Sequence, residues 1–553
     1  MPRRYPIAFL FPLALFGCSS APGSDADGAE GALDAGRQGG DAAGDAPAGP
    51  AAGCVVEKKG TAGVVVKGTV LAPDGPLVGE VLVDGAGKLA CVGASCAAAA
   101  GYASATQISC ATAVISPAMI NAHDHIDYAT RPPVTHGTTR WQHRNGWRTG
   151  AGGEPKLSTP KSTTDAKIIA GAELRFVLGG ATANVSSGGT PGLLRNLTKA
   201  SLFEGLSGRY AYYDTFPLGD SNGTILASGC GYPSIRPAST AFSGGAYVPH
   251  ISEGINLGAE NEFVCLTQPS TNLVSERTAV IHSVGLNARN VDVLAKSKAK
   301  VVWSARTNID LYGDTAPVTV LKRAGVTIAL GTDWLASGSM NMLRELACID
   351  SLNERYFGRA FTDRELWEMA TKNAAIAAGF GDQLGELKVG FAADVAVFDS
   401  PGARDFRAII GAGVEDVKLV LRGGKPLYGD AALVGALSTG CTALDVCGVP
   451  KQVCIDAPGM TLSDIQAANA SIYPLFFCRG ETPKDEPSCV PYRDAYPSGT
   501  SATDRDGDGI PDGVDDCKDV FNPPRPMDGS KQSDVDGDGL GDACDPQPLV
   551  AGG

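Results

Sequence analysis

From residue 64 the apolar positions of the chain fall in short runs instead of at helical spacing. VVVKGTVL (64–71), GEVLVD (79–84) and TAVIS (112–116) are separated by Pro-Asp-Gly and Gly-Ala-Gly turns, which predicts the strands of a small sheet. Beyond residue 125 the pattern changes. ATANVS (181–186), RYAYYD (209–214), AYVPH (246–250), TAVIHSV (278–284), KVVWSA (300–305) and VTIALGTD (326–333) are near-continuous apolar runs that alternate with longer mixed segments. Strands buried on both faces read this way, and the alternation predicts a parallel βα barrel in an α/β protein. Helical spacing is clearest over 342–352 and 363–378, the latter with Thr362 as its cap and Glu365 three residues on. Strand-like runs return at 392–399 and 417–429, before a Cys- and Pro-rich stretch and an acidic tail. Near the other end, residues 19–53 hold almost no large apolar side chain and predict a flexible tether.

At 553 residues the chain exceeds what one core holds, so several domains are expected. The net charge of −14 argues against a nucleic-acid partner. Most of it sits in the tail, where residues 504–545 hold 13 Asp against 4 Lys or Arg. Arg3 and Arg4 precede an apolar stretch, 7–16, too short to span a bilayer. The following Leu15-Phe16-Gly17-Cys18 resembles the lipobox of bacterial lipoproteins. That resemblance implies lipidation at Cys18, membrane contact through the lipid anchor only, and a place in the cell envelope, at the outer membrane or cell surface. An ordinary signal peptide is the alternative. Fourteen other cysteines remain, and none has CxxC spacing. In an exported chain they are expected to form disulfides; Cys91/Cys96, Cys441/Cys447 and Cys478/Cys489 are candidate pairs, with the connectivity open.

The chain has only six histidines, and two stand one residue apart in NAHDHID (121–127). His250 ends AYVPH, His282 ends TAVIH and Asp333 ends VTIALGTD. In a parallel barrel the C-terminal ends of the strands converge on one mouth. Both imidazoles of an H-x-H pair face the same side of a strand, and a further His with a carboxylate completes a site suited to Zn²⁺ or Fe²⁺. Such an ion lowers the pKa of a bound water toward neutrality, and a strand-end Asp is placed to take the proton.

HDH (123–125), HISE (250–253), IHSV (281–284), SARTN (304–308) and GTDW (331–334), followed by ATKNAAIAAGFGDQLGELKVGFAADVAVFD (370–399), together resemble the metal-dependent amidohydrolase superfamily, in its branch of guanine and cytosine deaminases, chlorohydrolases and imidazolone hydrolases. The match runs from about 63 to 430. The resemblance implies a distorted (β/α)8 TIM-like barrel flanked by a small β-sandwich built from both ends of the barrel sequence. It implies one metal ion held by His123, His125, His250 and Asp333, with His282 orienting water or substrate and Glu253 carrying a proton to the substrate nitrogen. Binuclear relatives use a carboxylated Lys on the fourth strand; no Lys ends a matching run before His250, which favours one ion. Asn308, Arg306 and His143 are candidate substrate contacts, with loop or capping roles as the alternative. His136 is open in the same way. ISPAMINAHDH and SARTN depart from the commoner family wording, leave the ligand positions intact and bear on substrate preference.

The tail repeats one design 30 residues apart. Asp504, Asp506 and Asp508 with Asp515 at the twelfth position recur as Asp534, Asp536, Asp538 and Asp545, with Gly509 and Gly539 at the sixth. This is carboxylate spacing for a hard cation. Pro511, Pro523 and Pro524 exclude EF-hand helices. The pattern resembles thrombospondin type 3 repeats, which implies Ca²⁺ and a Cys517–Cys544 link.

The expected organisation is a lipoprotein signal peptide (1–18), tether (19–62), N-terminal part of the sandwich (63–116), barrel (117–385), C-terminal part of the sandwich (386–440), Cys/Pro-rich segment (441–503) and calcium repeats (504–546). The expected function is metal-dependent hydrolysis of a C–N bond in a small, cyclic molecule, by deamination or ring opening. The rival is a calcium-dependent surface-binding protein on a catalytically idle barrel.

Overall fold

The computed structural model describes residues 53–552. The signal region and Cys18 lie outside the described residues.

The apolar runs of the middle of the chain form eight parallel strand pieces in two hydrogen-bonded arcs. One arc joins Met119–His125, Ala181–Ser187 and Arg195–Asn196; the other joins Ala211–Asp214, Ala246–Ile251, Ala279–His282, Lys300–Trp303 and Ile328–Leu330. The ladders do not close into one continuous sheet. One bond bridges one gap and two bridge the other: Ala211 N donates to the Leu197 carbonyl at 2.8 Å, and Thr332 N and Asp333 N both donate to the His123 carbonyl, at 3.1 and 3.0 Å. Helices including Ala166–Leu178, Leu257–Leu266, Ala288–Ser297 and Met342–Arg355 cover the outside, and the strand interiors are buried except at Tyr212 and Tyr213, which are half-buried. This is a mixed α/β, TIM-like arrangement. Arg195–Asn196 is too short to leave an apolar run and was not legible as a strand.

The helix expected over 363–378 is two helices, Asp363–Met369 and Lys372–Ala377. Thr371 breaks it with a non-helical ψ of −94°. The Thr362/Glu365 capping box is present, each residue serving the other's end of the turn.

The flanking domain is one continuous ten-stranded sheet, not two hydrogen-bonded sheets. Its path runs Thr442–Val446, Val449–Val453, Lys425–Asp430, Val417–Arg422, Val395–Phe398, Thr106–Pro117, Val64–Ala72, Gly75–Val83 and Leu89–Gly93, with Cys54–Lys58 also paired to Thr106–Pro117. Two expected boundaries therefore move. The tether does not reach 62, because Cys54–Lys58 is a strand tied down by the Cys54–Cys110 disulfide. The sheet does not stop at 440, because the hairpin 442–453 adds two strands at its edge.

Seven disulfides staple the described residues. Cys91–Cys96 and Cys517–Cys544 pair as expected. The other two expected pairs are replaced by Cys441–Cys454, Cys447–Cys478 and Cys348–Cys489. The reason is topological: the 442–453 hairpin brings Cys441 and Cys454 together across its open end, and the segment after 454 leaves that hairpin to lie on the barrel. There Cys489 bonds a barrel helix, the Arg175 guanidinium donates to the carbonyls of Pro474 and Tyr473, and Arg493 donates to those of Trp141 and Tyr312. The acidic tail docks likewise, with Arg525 donating to the carbonyls of Val284 and Leu286.

Candidate metal centre

Asn121 in the first barrel strand joins that strand to the loop carrying Asp333. Its amide group donates to Thr332 Oγ1 at 2.7 Å and Asp124 Oδ2 at 2.9 Å, and its carbonyl accepts Thr332 N at 3.0 Å. Asp333, just beyond its strand, and His282, the last residue of its own, have φ of +57° and +68°. Left-handed backbone at non-glycine residues is strained, and here it sits beside the converging imidazoles.

His123 Nε2 lies 3.1 Å from His250 Nε2, and His125 Nε2 lies 3.2 Å from the same atom. Asp333 Oδ1 is 3.5 Å from His123 Nε2 and 3.6 Å from His125 Nε2. The other ring nitrogens are occupied. His250 Nδ1 is 3.1 Å from the Asp214 carbonyl, which can only accept, so Nδ1 carries the proton and Nε2 of the neutral ring presents a lone pair. His123 Nδ1 is 2.8 Å from Ser304 Oγ. Burial, aided by the neighbouring imidazoles, pushes His123 and His250 well below the usual histidine range and His125 down to about 3. Protons therefore do not neutralise the facing lone pairs at neutral pH.

An ion does. Four-coordinate zinc with bonds of about 2.0–2.1 Å needs ligand atoms about 3.3–3.5 Å apart, which the observed separations match. Ligating atoms of His123, His125 and Asp333 lie within 4.8 Å of one another, as do those of His123, His250 and His282. Burial pushes the Asp333 carboxyl well up, with the charge of Glu253 adding to it, and Thr307 Oγ1 donates to its Oδ2 at 3.1 Å. A cation at this point would remove the cost of that buried charge.

Glu253 and His282 form the next layer. Glu253 Oε2 lies 3.4 Å from His282 Nε2, and Glu253 Oε1 accepts from the Tyr312 hydroxyl at 2.7 Å. That hydroxyl accepts in turn from Trp147 Nε1 at 2.8 Å. Asn308 Oδ1 is 3.0 Å from His282 Nδ1 and holds the ring. Burial lowers the His282 pKa, and Glu253 opposes the shift. A cavity of about 400 Å³ opens over these groups, walled by Tyr128, Trp147, Arg148, Phe216 and Trp334.

The expected substrate contacts are corrected by these distances. Asn308 touches His282 and not the cavity. Arg306 spends its guanidinium on Ser339 Oγ, the Arg344 carbonyl and the Pro487 carbonyl, clamping the Cys-rich segment. His143 caps the helix Arg144–Thr149, its Nδ1 accepting Asn145 N at 3.1 Å, while its Nε2 lies 3.2 Å from Glu262. His136 pairs with Asp310 at 2.7 Å. Each is buried with a partner already in place.

Sequence reasoning missed Tyr213. Its hydroxyl donates to the Asp124 carbonyl at 3.1 Å, and its oxygen is 2.9 Å from His125 Nε2 and 3.5 Å from His250 Nε2. The signal was available, since Tyr213 sits at the C-terminal end of the run RYAYYD. Tyr312, Trp147 and Arg148 left no comparable trace.

In the tail, Asp504 accepts the amides of Gly507 and Gly509 at 2.8 and 3.1 Å, and Asp534 accepts those of Gly537 and Gly539 at 2.7 and 3.0 Å. Asp504, Asp506 and Asp508 cluster with oxygens within 4.8 Å, as do Asp534, Asp536 and Asp538. Buried oxygens of Asp506, Asp515, Asp536 and Asp545 have no partner. Burial and mutual repulsion push Asp506 up to about 8 and Asp508 to about 7.

Residues 248–427 match the model of the amidohydrolase family. The chain is 38% identical over 135 residues to a 5-methylthioadenosine/S-adenosylhomocysteine deaminase of Halobacterium salinarum, covering 23% of this chain and 31% of that protein. A protein of the same name from Teredinibacter turnerae is 35% identical over 130 residues, covering 23% and 29%. The chain thus spans about a third of the length of these curated relatives. Among solved structures, a triazine hydrolase variant shares the fold, with a TM-score of 0.50 at 18% identity over 74% of this chain and 100% of that one. The stretch 248–427 that matches the amidohydrolase family supplies His250, Glu253, His282 and Asp333.

Proposed function

We propose that this protein is a metal-dependent hydrolase that cleaves a C–N bond of a small, planar, cyclic molecule. The observation that carries the reading is the buried convergence of three imidazole Nε2 atoms and one carboxylate oxygen with neighbours 3.1–3.6 Å apart. His123, His125, His250 and Asp333 would hold one Zn²⁺ or Fe²⁺ ion. When bound, the ion supplies Lewis acidity that brings the pKa of water at that point toward neutrality. Tyr213 stands where the fourth barrel strand ends, and no lysine lines the cavity among the described residues, which supports a single ion.

Glu253 is held by Tyr312 on one oxygen and faces His282 with the other, so it is fixed at the cavity wall in position to move a proton to the substrate nitrogen. His282, held by Asn308, orients the oxygen that adds to the substrate carbon. Addition of water across the carbon and loss of the nitrogen gives ammonia and a carbonyl product, or an opened ring. The aromatic walls favour a flat substrate, and the deaminases matched above act, by their names, on adenine-ring compounds. The test is Asp333→Asn in zinc-loaded protein against a panel of aminopurines, pyrimidines and imidazolones. Loss of turnover with zinc retained supports the role, and unchanged turnover removes it.

We also propose that the two tail loops bind Ca²⁺, supported by their buried, unpartnered carboxylate oxygens, and that Cys18 anchors an exported chain to the cell envelope. Calcium titration by calorimetry and mass measurement of the mature N-terminus test these in turn.

A further inference from the structure

Two guanidinium groups line the cavity, and only one has its charge matched. Arg144 faces Asp220 at 2.6 Å, Glu262 at 3.7 Å and Glu253 at 4.0 Å. Arg148 has no carboxylate within ion-pair distance among the described residues. It donates to Asn145 Oδ1 at 2.5 Å and the Ser221 carbonyl at 3.4 Å, so three of its five N–H groups have no protein acceptor. Its plane is set by stacking on Phe216, 4.4 Å from the ring centroid. An unmatched cation held rigid and half-buried at a cavity wall is costly unless an anion meets it.

The other walls are aromatic. Trp147 and Trp334 have ring centroids 5.5 Å apart, and Tyr128 lies 6.2 Å from Trp334. The space of about 400 Å³ accommodates a one- or two-ring heterocycle with a substituent.

We propose that the substrate is a planar ring bearing a carboxylate, with the ring between the aromatic walls and the carboxylate on Arg148. This deepens the reading of the site given above and rests on it for the placement of the reacting carbon. Arg148 is then a binding residue that sets specificity: its planar fork matches a carboxylate bidentately.

The experiment uses the zinc-loaded full chain and calorimetric binding of indole-2-carboxylate against indole, so it reads binding and not turnover. The carboxylate is expected to bind about tenfold to a hundredfold more tightly, the range for hydrogen bonds to a charged group. In Arg148→Met this advantage disappears while zinc content and indole affinity stay as in the wild type; Arg148→Lys keeps part of it. Equal binding of both probes, binding of neither, or an advantage that survives Arg148→Met, which would put the carboxylate on the ion, overturns the proposal. A carboxylate preference that depends on Arg148 in a protein turning over no C–N substrate would instead sink the hydrolase reading alone.

Discussion

Gly331 packs against His123 so closely that a single methyl group tests the geometry of the centre. A Cβ added at Gly331 would lie 2.5 Å from His123 Cβ and 2.8 Å from His123 N. Carbon pairs rest at about 3.5–4.0 Å, so the two strands must separate by about 1 Å. Neither can yield freely, because the His123 carbonyl accepts the amides of both Thr332 and Asp333. Overpacking of this kind costs about 1–3 kcal/mol of stability. Because the displaced segments carry His123 and Asp333, Gly331→Ala should also weaken zinc binding by about 10–100-fold, the range for disturbed ligand support. Denaturant unfolding gives the first quantity and competition with a chromophoric chelator the second. A variant that loses stability yet binds zinc as the wild type does would show that His123 can move without consequence for the ion and is not one of its ligands.

Asn308→Ala should lower kcat about tenfold or more with zinc content unchanged, because it frees His282 to rotate; steady-state kinetics with metal analysis checks this. Burial holds the Glu173 carboxyl at about 8 against an ordinary 4.5, so the folded state keeps a proton that the unfolded chain has released between those values. Stability from this group is complete below about pH 4.5 and is lost as pH rises toward 8, on the order of 5 kcal/mol, and Glu173→Gln should remove that slope in urea melts. Cleaving the Cys348–Cys489 link with a double Cys→Ala change should cost about 2–5 kcal/mol and expose the Cys-rich segment to protease, since this bond joins residues 141 apart in sequence. Asp506→Asn should abolish calcium binding by the first loop and leave zinc content untouched.

The barrel was legible because its strands are buried on both faces and so stand out as unbroken apolar runs ending in His250, His282 and Asp333. The short strand Arg195–Asn196 was not, since two residues carry no pattern. The His and Asp constellation is visible in sequence because few residue types bind such ions and their strand-end positions repeat. The groups that hold them are not. Asn308, Arg306 and His143 were polar residues near the motifs, and only packing reveals that each already has an internal partner. Cysteine pairing fails for the same reason: Cys348 and Cys489 meet only because the C-terminal segment returns to lie on the barrel.

Whether His123, His125, His250 and Asp333 hold an ion is read from the transition-metal content of the purified full chain, by mass spectrometry after calcium-selective chelation. About one equivalent of zinc or iron per chain is expected, lost in His123→Ala and His250→Ala and kept in Asp506→Asn. A folded wild-type chain that takes up no transition metal even after incubation with zinc would mean that these four residues are not a metal centre.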